Sequence, residues 1–476
     1  MSDMTDTQSA VADDSAAADT ADHDKPFDEA RGFRIFMIIW VTQLVARLGN
    51  GLTAFGLAVQ VYNDTGMSTS VAFVTMAAFL PGVLLAPIGG VLADRFDRRA
   101  LMIFGDTASA IGLVVLIVLY STGTATLPLV LAAVAFSSVF TSVMDPAYRA
   151  TISDLLTPKQ YARASGLVQL AAASQFLISP AIAGLVMSTS GILLVLVLDI
   201  STMVVTITAM AVVVILLRRH KIAPPKARED ESNVWKELRF GITYFAENRG
   251  LLILMLLITA VTFCMGFLQT LLTPLMLDIS NETVLGVVRS VAAIGMVVAS
   301  LVIGLFNMGT KHRLYLSLAL ALAGITVVGM GLVPDALVIG VFAFLFFMTL
   351  PPLNTSVEVL VRASIPNETQ GRIWGLMSLI SQLGYVIAYG VSGPLADFVF
   401  NPLLVEGGPL ADSLGVVLGV GATRGIGLMF VLVGIMLIAT ALVFPRLQSL
   451  HEMEQTLIAR TAEAAEQNSG IVEEKE

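Results

Sequence analysis

The sequence predicts an all-α membrane protein with twelve transmembrane helices in two pseudo-symmetric six-helix bundles, and three observations carry that prediction. First, of 476 residues 56% are apolar and 13% charged, against roughly 25% charged in soluble globular chains, and the mean hydropathy is +0.83. So few charges cannot cover a water-facing surface, which excludes a soluble multidomain enzyme. Second, the apolar residues fall into runs of about 20 or more, the length that crosses a bilayer. These runs lie at about 33–61, 69–92, 100–121, 127–147, 165–189, 193–217, 251–277, 284–306, 314–332, 336–358, 373–400 and 424–444. Third, with the N-terminus inside, 24 of the 27 Lys and Arg fall in inner segments and none in outer loops. The positive-inside rule then puts both termini in the cytoplasm of a multi-pass protein of the cell membrane.

The chain opens on an acidic tail, 1–32. Residues 1–29 hold nine acids and one base, and 446–476 hold seven acids and three bases, so the net charge of −9 belongs to the two ends. Both tails, 1–32 and 445–476, read as solvated cytoplasmic segments, and nothing points to a nucleic-acid partner. No basic stretch precedes the first apolar run, so that run is expected to stay as a helix. Cys264 is the single cysteine and the four histidines are scattered, so no disulfide, metal site or cofactor is expected.

Helix one carries the foremost candidate site. Arg47 stands about 12 residues in, roughly 18 Å at 1.5 Å per residue, and a charge at that depth is costly enough to mark function. Gln43, Arg47 and Asn50 sit at i, i+4 and i+7 and form one polar stripe. These three are the candidates for substrate binding or coupling; a structural arginine tied to carbonyls or an acid is the competing expectation.

Between helices two and three lies Gly89–Gly90–Val91–Leu92–Ala93–Asp94–Arg95–Phe96–Asp97–Arg98–Arg99. Here the chain resembles the major facilitator superfamily, whose signature at this loop is a glycine, an Asp and basic residues at this spacing. The resemblance spans about 33–444. It implies a cytoplasmic gate in which Gly90 lets helices approach closely. Asp94 would face the positive N-terminal end of helix eleven near Gly371. Arg95, Arg98 and Arg99 hold the loop inside, and Arg98 or Arg99 is expected to neutralise Asp106 in helix three. A finer resemblance is to the macrolide-efflux and siderophore-exporter branch. It rests on Leu48–Gly49–Asn50–Gly51, on Pro87 to Arg99, on Asp145–Pro146–Ala147–Tyr148 and on Ala162 to Gly166.

Helix four ends in Asp145 and Arg149, and helix five holds Ser179–Pro180–Ala181–Ile182–Ala183–Gly184, a variant of a drug-antiporter kink motif. Asp199 of helix six and Arg289 of helix eight are expected as buried structural partners. The first bundle is 33–217. The linker, 218–250, begins charged and proline-containing and ends in Trp235, Leu238, Ile242 and Phe245 at helical spacing, as in a helix lying on the membrane surface.

The second bundle, 251–444, repeats the first. Arg163 to Leu167 returns 209 positions on as Arg372 to Leu376, and Ala183–Gly184 returns as Ser392–Gly393. Parallel repeats of this kind are a transporter layout. The same offset aligns Arg149 with Glu358, an expected inner-gate ion pair. The loop from Gly304 to Arg313 lacks the Asp, with Met308 in its place. Helices four, seven and ten show no acid near the midplane, since Asp145, Asp278 and Glu358 fall toward helix ends. Asp278, Asp397 and Arg424 are expected in water at outer ends.

The expected function is secondary active transport by alternating access: proton-coupled efflux of amphipathic small molecules of drug, macrolide or siderophore type. Its partners are protons, substrate and the lipid bilayer, and the working unit is a monomer. The alternatives are a proton-coupled uptake symporter or a lysophospholipid transporter; outside transport, a membrane receptor or structural protein. No catalytic constellation suggests an enzyme, and the P-loop of an ATP-driven pump is absent from the sequence.

Overall fold

The computed structural model describes residues 29–219, 239, 243–305, 309–365 and 369–459. Its transmembrane helices are α1 (Glu29–Thr65), α2 (Ser68–Arg95), α3 (Arg98–Ser121), α4 (Leu127–Leu155), α5 (Tyr161–Leu177) and a long segment, Ser179–Arg219. The second half has α7 (Arg249–Ile279), α8 (Glu282–Leu305), α9 (His312–Leu332), α10 (Ala336–Ser364), α11 (Gln370–Leu395) and α12 (Arg424–Val443). Among the described residues eleven helical stretches are apolar and long enough to cross a membrane. One of them, Tyr161–Ile215, has 55 residues, over twice what one crossing needs.

That stretch crosses twice. Gly191 sits at φ 72°, ψ −170°, a backbone state open to glycine, and the chain turns back there. The depth markers lie on α1: Ser179 donates to the Leu48 carbonyl at 2.9 Å, while Thr53 donates to Asp199 at 2.5 Å. Residues before Gly191 complete α5 and residues 192–219 form α6, which makes twelve crossings.

The ends of α1, α3, α5, α7, α9 and α11 that begin each helix share one face of the molecule, called here the terminal face. The opposite one is the far face. Within each half, α1 packs on α6, α4 on α2 and α3, α7 on α11, and α9 on α12. Most of each helix surface is apolar because one side meets neighbours and the other meets lipid. In α8, Leu285, Val288 and Ala292 are buried while Val287, Val291, Ile294 and Leu301 are exposed, two aliphatic faces at helical spacing. Small residues set the closest approaches: a side chain at Gly324 of α9 would strike the Gly434 carbonyl and Ile438 of α12.

Three boundaries differ from the sequence expectation. Helix α4 runs to Leu155 and α10 to Ser364, so Asp145 and Glu358 lie well inside their helices. Third, the C-terminal tail is not wholly solvated. Residues 448–459 form a helix, α13, with Leu450 and Met453 buried. Met453 covers Gly250 at the start of α7, and Glu454 pairs with Arg313 of α9 at 3.2 Å. Of the expected surface helix in the linker, Trp235, Leu238 and Ile242 lie outside the described residues, and Phe245 is buried.

Candidate functional site

The two halves meet along two seams, α2 with α11 and α5 with α8. Both seams close at the far face. The α2 N-cap is Met67, whose side chain accepts no capping bond, so the first N–H groups of the helix need partners from elsewhere. Asp397, just beyond α11 in the other half, supplies them. Its carboxylate accepts from Ser68 N at 3.1 Å, Thr69 N at 2.7 Å and Thr69 Oγ1 at 2.7 Å. A carboxylate at a helix N-terminus is doubly favoured, by hydrogen bonding and by the helix dipole. Asp397 is therefore engaged, not solvated at a helix end as expected. Beside it, Gly393 lies so close to Ser68 and Thr69 backbone that a Cβ would collide.

The second seam is built the same way. A Cβ on Gly184 would strike the Glu282 carbonyl, and one on Gly286 would strike the Pro180 carbonyl. Ser290 accepts from Ala181 N at 3.1 Å, Thr283 donates to Ser188 at 2.9 Å and Asn63 donates to Glu282 at 3.2 Å. Gly184 and Gly393 are one pair of glycines that the 209-residue repeat brings into register. The repeat thus marks the two contact points that close the far face.

Toward the terminal face the glycines of the same four helices make no such contact with the described residues. Gly90 of α2, Gly166 of α5, Gly304 of α8 and Gly375 of α11 have no atom within 4 Å of where a Cβ would stand, beyond their own surroundings in the helix. Gly166 and Gly375 are again repeat partners. The expected close approach at Gly90 is thus not made in this conformation; the side chain of Asp94 and residue Gly371 lie outside the described atoms. Arg98 does not reach Asp106. It donates from Nε to the Ala93 carbonyl at 3.2 Å and from Nη1 to the Ala150 carbonyl at 3.1 Å, closing the ends of α2 and α4. Arg99 is buried and Arg95 exposed. Asp106, two turns further along α3, takes its bond from Thr206 of α6 at 3.4 Å.

Between the seams, Arg47 of α1 donates from Nη2 to Asp145 of α4 at 2.7 Å, and Arg149, one turn on, reaches the other oxygen of Asp145 at 3.3 Å. The pair is accessible, with side chains 21% and 50% exposed. The enclosed Nε of Arg47 and the Nε2 of buried Gln43 have no partner among the described residues. Asn50 is half-buried on the same helix. Sequence reasoning missed Asp145 because Pro146 made helix four look finished. The expected Arg149–Glu358 pair is not formed here. Arg149 binds Asp145 and Glu358 binds Arg362, each an i,i+4 pair with the acid leading, which is the favoured order on one helix.

Asp199 and Arg289 are not partners either. Asp199 clamps α6 to α1 through Thr53. Arg289 of α8 donates from Nη2 to the Gln269 carbonyl and to Thr273 Oγ1, both at 2.8 Å. Its guanidinium lies 5.7 Å from the Phe55 ring of α1. Pro274 interrupts α7 in the next turn and loosens the ladder there. Gln269 also receives the Tyr389 hydroxyl at 2.6 Å, and Phe79 of α2 packs on Tyr385 and Tyr389 of α11 at 5.4 and 5.5 Å. Toward the far end of α2 and α4 runs an apolar groove of about 400 Å³, lined by Phe73, Met76, Leu80 and Pro81 and by Leu131 and Ala135. Arg424, expected in water, is buried and donates to the Leu418 and Gly331 carbonyls. Asp278 accepts from Thr423 at 2.8 Å.

The model of the Major Facilitator Superfamily matches residues 39–389, most of both halves. The chain belongs to the major facilitator superfamily. Among its relatives, macrolide efflux protein A of Streptococcus pyogenes is 24% identical over 429 residues, covering 88% of this chain and 97% of that one. The multidrug efflux pump Tap of Mycobacterium tuberculosis (strain ATCC 25618 / H37Rv) is 23% identical over 432 residues, covering 88% and 94%. In fold the chain is similar to a bacterial homologue of the iron transporter ferroportin in an inward-facing state, with TM-score 0.61, 13% identity and coverage of 86% and 99%. It is similar also to an inward-facing, unoccupied bacterial homologue of the lysosomal transporter Spinster, with TM-score 0.62, 14% identity and coverage of 91% and 98%. A transporter of this superfamily works with two six-helix halves and the seams between them, and those are the features described above.

Proposed function

We propose that this superfamily member exports amphipathic small molecules in exchange for protons, as a monomer, with the terminal face in the cytoplasm. The single observation that carries the reading is the asymmetry of the seams: pressed together at Gly184, Gly286 and Gly393, and open at Gly90, Gly166 and Gly375. One rocking motion exchanges the two ends. The Lys and Arg bias supports the orientation, and two relatives named for macrolide and multidrug efflux support the direction and substrate class.

In the opposite state Asp94 caps α11 near Gly371, as Asp397 caps α2 now. Asp145 is the acid of this scheme, held between Arg47 and Arg149 in the space between the seams. Inverted vesicles containing the chain, given an acidic interior, should accumulate a labelled amphipathic dye faster than vesicles without it. Accumulation that ignores the proton gradient, or occurs only in the other direction, sinks the reading.

The latch makes a further prediction. Asp397→Ala removes the cap of α2, worth about 0.5–2 kcal/mol, and should open the far face, shifting the two-state balance by about 2- to 30-fold. Asp397→Asn, which still accepts a bond, should shift it less. Distances between spin labels at the far ends of α2 and α11 read this directly; no change in Asp397→Ala would remove the residue from the gate.

A further inference from the structure

The structure assigns Arg289 to an anion-binding subsite at the closed end of the path between the halves, and we propose that the molecules transported carry an anionic group on an aromatic or alicyclic body. The inference rests on the transport reading above for the word transported; the subsite itself stands on geometry.

Arg289 lies seven residues into α8 from its far end, about 10 Å at 1.5 Å per residue, and so at membrane depth. Its guanidinium carries its charge at neutral pH. Yet its protein partners are a carbonyl, a hydroxyl and a ring face, and none of these neutralises it. Among the described residues the carboxylates within the helices are engaged elsewhere, Asp278 by Thr423 and Glu358 by Arg362. Asp145 is held by Arg47 and Arg149, Asp199 by Thr53, Asp106 by Thr206 and Asp397 by α2.

Only Nη2 of Arg289 is used in these bonds, so Nε and Nη1 keep three N–H donors with no partner among the described residues. A cation kept at this depth without a counter-ion is costly unless a ligand or water supplies the missing acceptors. A planar fork with free donors suits a carboxylate, sulfonate or phosphate.

The surroundings describe the rest of the ligand. Phe55 from α1, Phe79 from α2 and Tyr385 and Tyr389 from α11 bring rings from both halves toward the same turn of α7. Gln269 joins them, since its carbonyl takes Arg289 and its side chain takes Tyr389. A flat apolar body stacks against such rings. Further along the path Arg47, Asp145 and Arg149 place two bases against one acid, so the lining is positive there as well. A cationic substrate meets repulsion at both places.

The test uses the full chain in phosphatidylcholine vesicles and two probes of permanent, opposite charge on one ring system: 2-naphthalenesulfonate and (2-naphthylmethyl)trimethylammonium. The sulfonate should bind at least about tenfold more tightly than the ammonium. Arg289→Gln should weaken the sulfonate by about 10- to 100-fold, the span expected for losing hydrogen bonds to a charged group, and should not weaken the ammonium, whose repulsion it relieves. Equal binding of both probes, no binding of either, or sulfonate binding untouched by Arg289→Gln overturns the subsite. If Arg289→Gln does not insert, the preference of the unmutated chain decides. Arg289→Lys, which keeps the charge and loses the fork, should then retain the preference at lower affinity. Movement under a pH gradient separates this inference from the transport reading. Arg289-dependent sulfonate binding without movement keeps the subsite and sinks transport. Gradient-driven movement of the ammonium alone keeps transport and sinks the subsite.

Discussion

Gly286→Val should abolish transport by keeping the far ends of α5 and α8 apart. At this position a Cβ would strike the Pro180 carbonyl and stand 3.2 Å from the Gly184 Cα, with backbone on both sides and no flexible side chain to yield. Overpacking of this kind costs about 1–3 kcal/mol, which moves a two-state balance by roughly 5- to 150-fold. The loss should fall on one state only, so the protein should still insert and purify. Gly375→Val is the mirror variant. Its site is open here and should close in the opposite state, so transport should fail while the present conformation becomes the stable one. Spin-label distances at the far face should lengthen in Gly286→Val and stay short in Gly375→Val. Normal transport by Gly286→Val would show that the α5–α8 seam does not gate the path.

Arg47→Ala should lower transport about 10- to 100-fold, the effect of losing a hydrogen-bonded charge, with little loss of stability. Breaking a fully buried ion pair costs about 3–5 kcal/mol. Here the Asp145 side chain is 50% exposed and retains Arg149, so the cost belongs with exposed pairs, about 0–1 kcal/mol. A melting temperature near that of the unmutated chain, with transport gone, places Arg47 in the mechanism. A sharp fall in melting temperature with residual transport at the normal rate makes it a structural brace. Arg47→Lys separates charge from geometry, because lysine cannot present the planar fork. Asp145→Asn removes the acid of the same pair and should lower transport as well; transport at the normal rate would take the pair out of the mechanism.

The fold was legible because lipid imposes one rule on every helix, and runs such as 251–277 satisfy it over their whole length. Gly191 was legible only as a break between two apolar runs; that it turns the chain within an otherwise continuous helix is a matter of φ. Asp145 was underrated because an acid followed by proline reads as a helix end, and only three-dimensional contact with Arg47 puts it on the path. Glu358 and Arg149 were matched by repeat offset, which aligns positions in two halves without bringing them together. Local i,i+4 partners were nearer. Asp397 could have been found: a Met at the cap position of α2 leaves a helix N-terminus in want of an acid. The free donors of Arg289 leave no trace in sequence, since they depend on where the other acids point.

The central claim is that the two faces open and close in alternation, and paired distance measurements on one protein test it most directly. Cys264 is fully buried, so labels can be placed on introduced cysteines. One pair, at Phe96 and Gln370, spans the terminal ends of α2 and α11, and another, at Thr65 just before α2 and Phe398 just beyond α11, spans their far ends. Adding substrate and protons from opposite sides of a vesicle membrane should shorten the first distance and lengthen the second in the same population of molecules. Distances that change together, or a far-face distance that never lengthens while transport proceeds, would contradict the account.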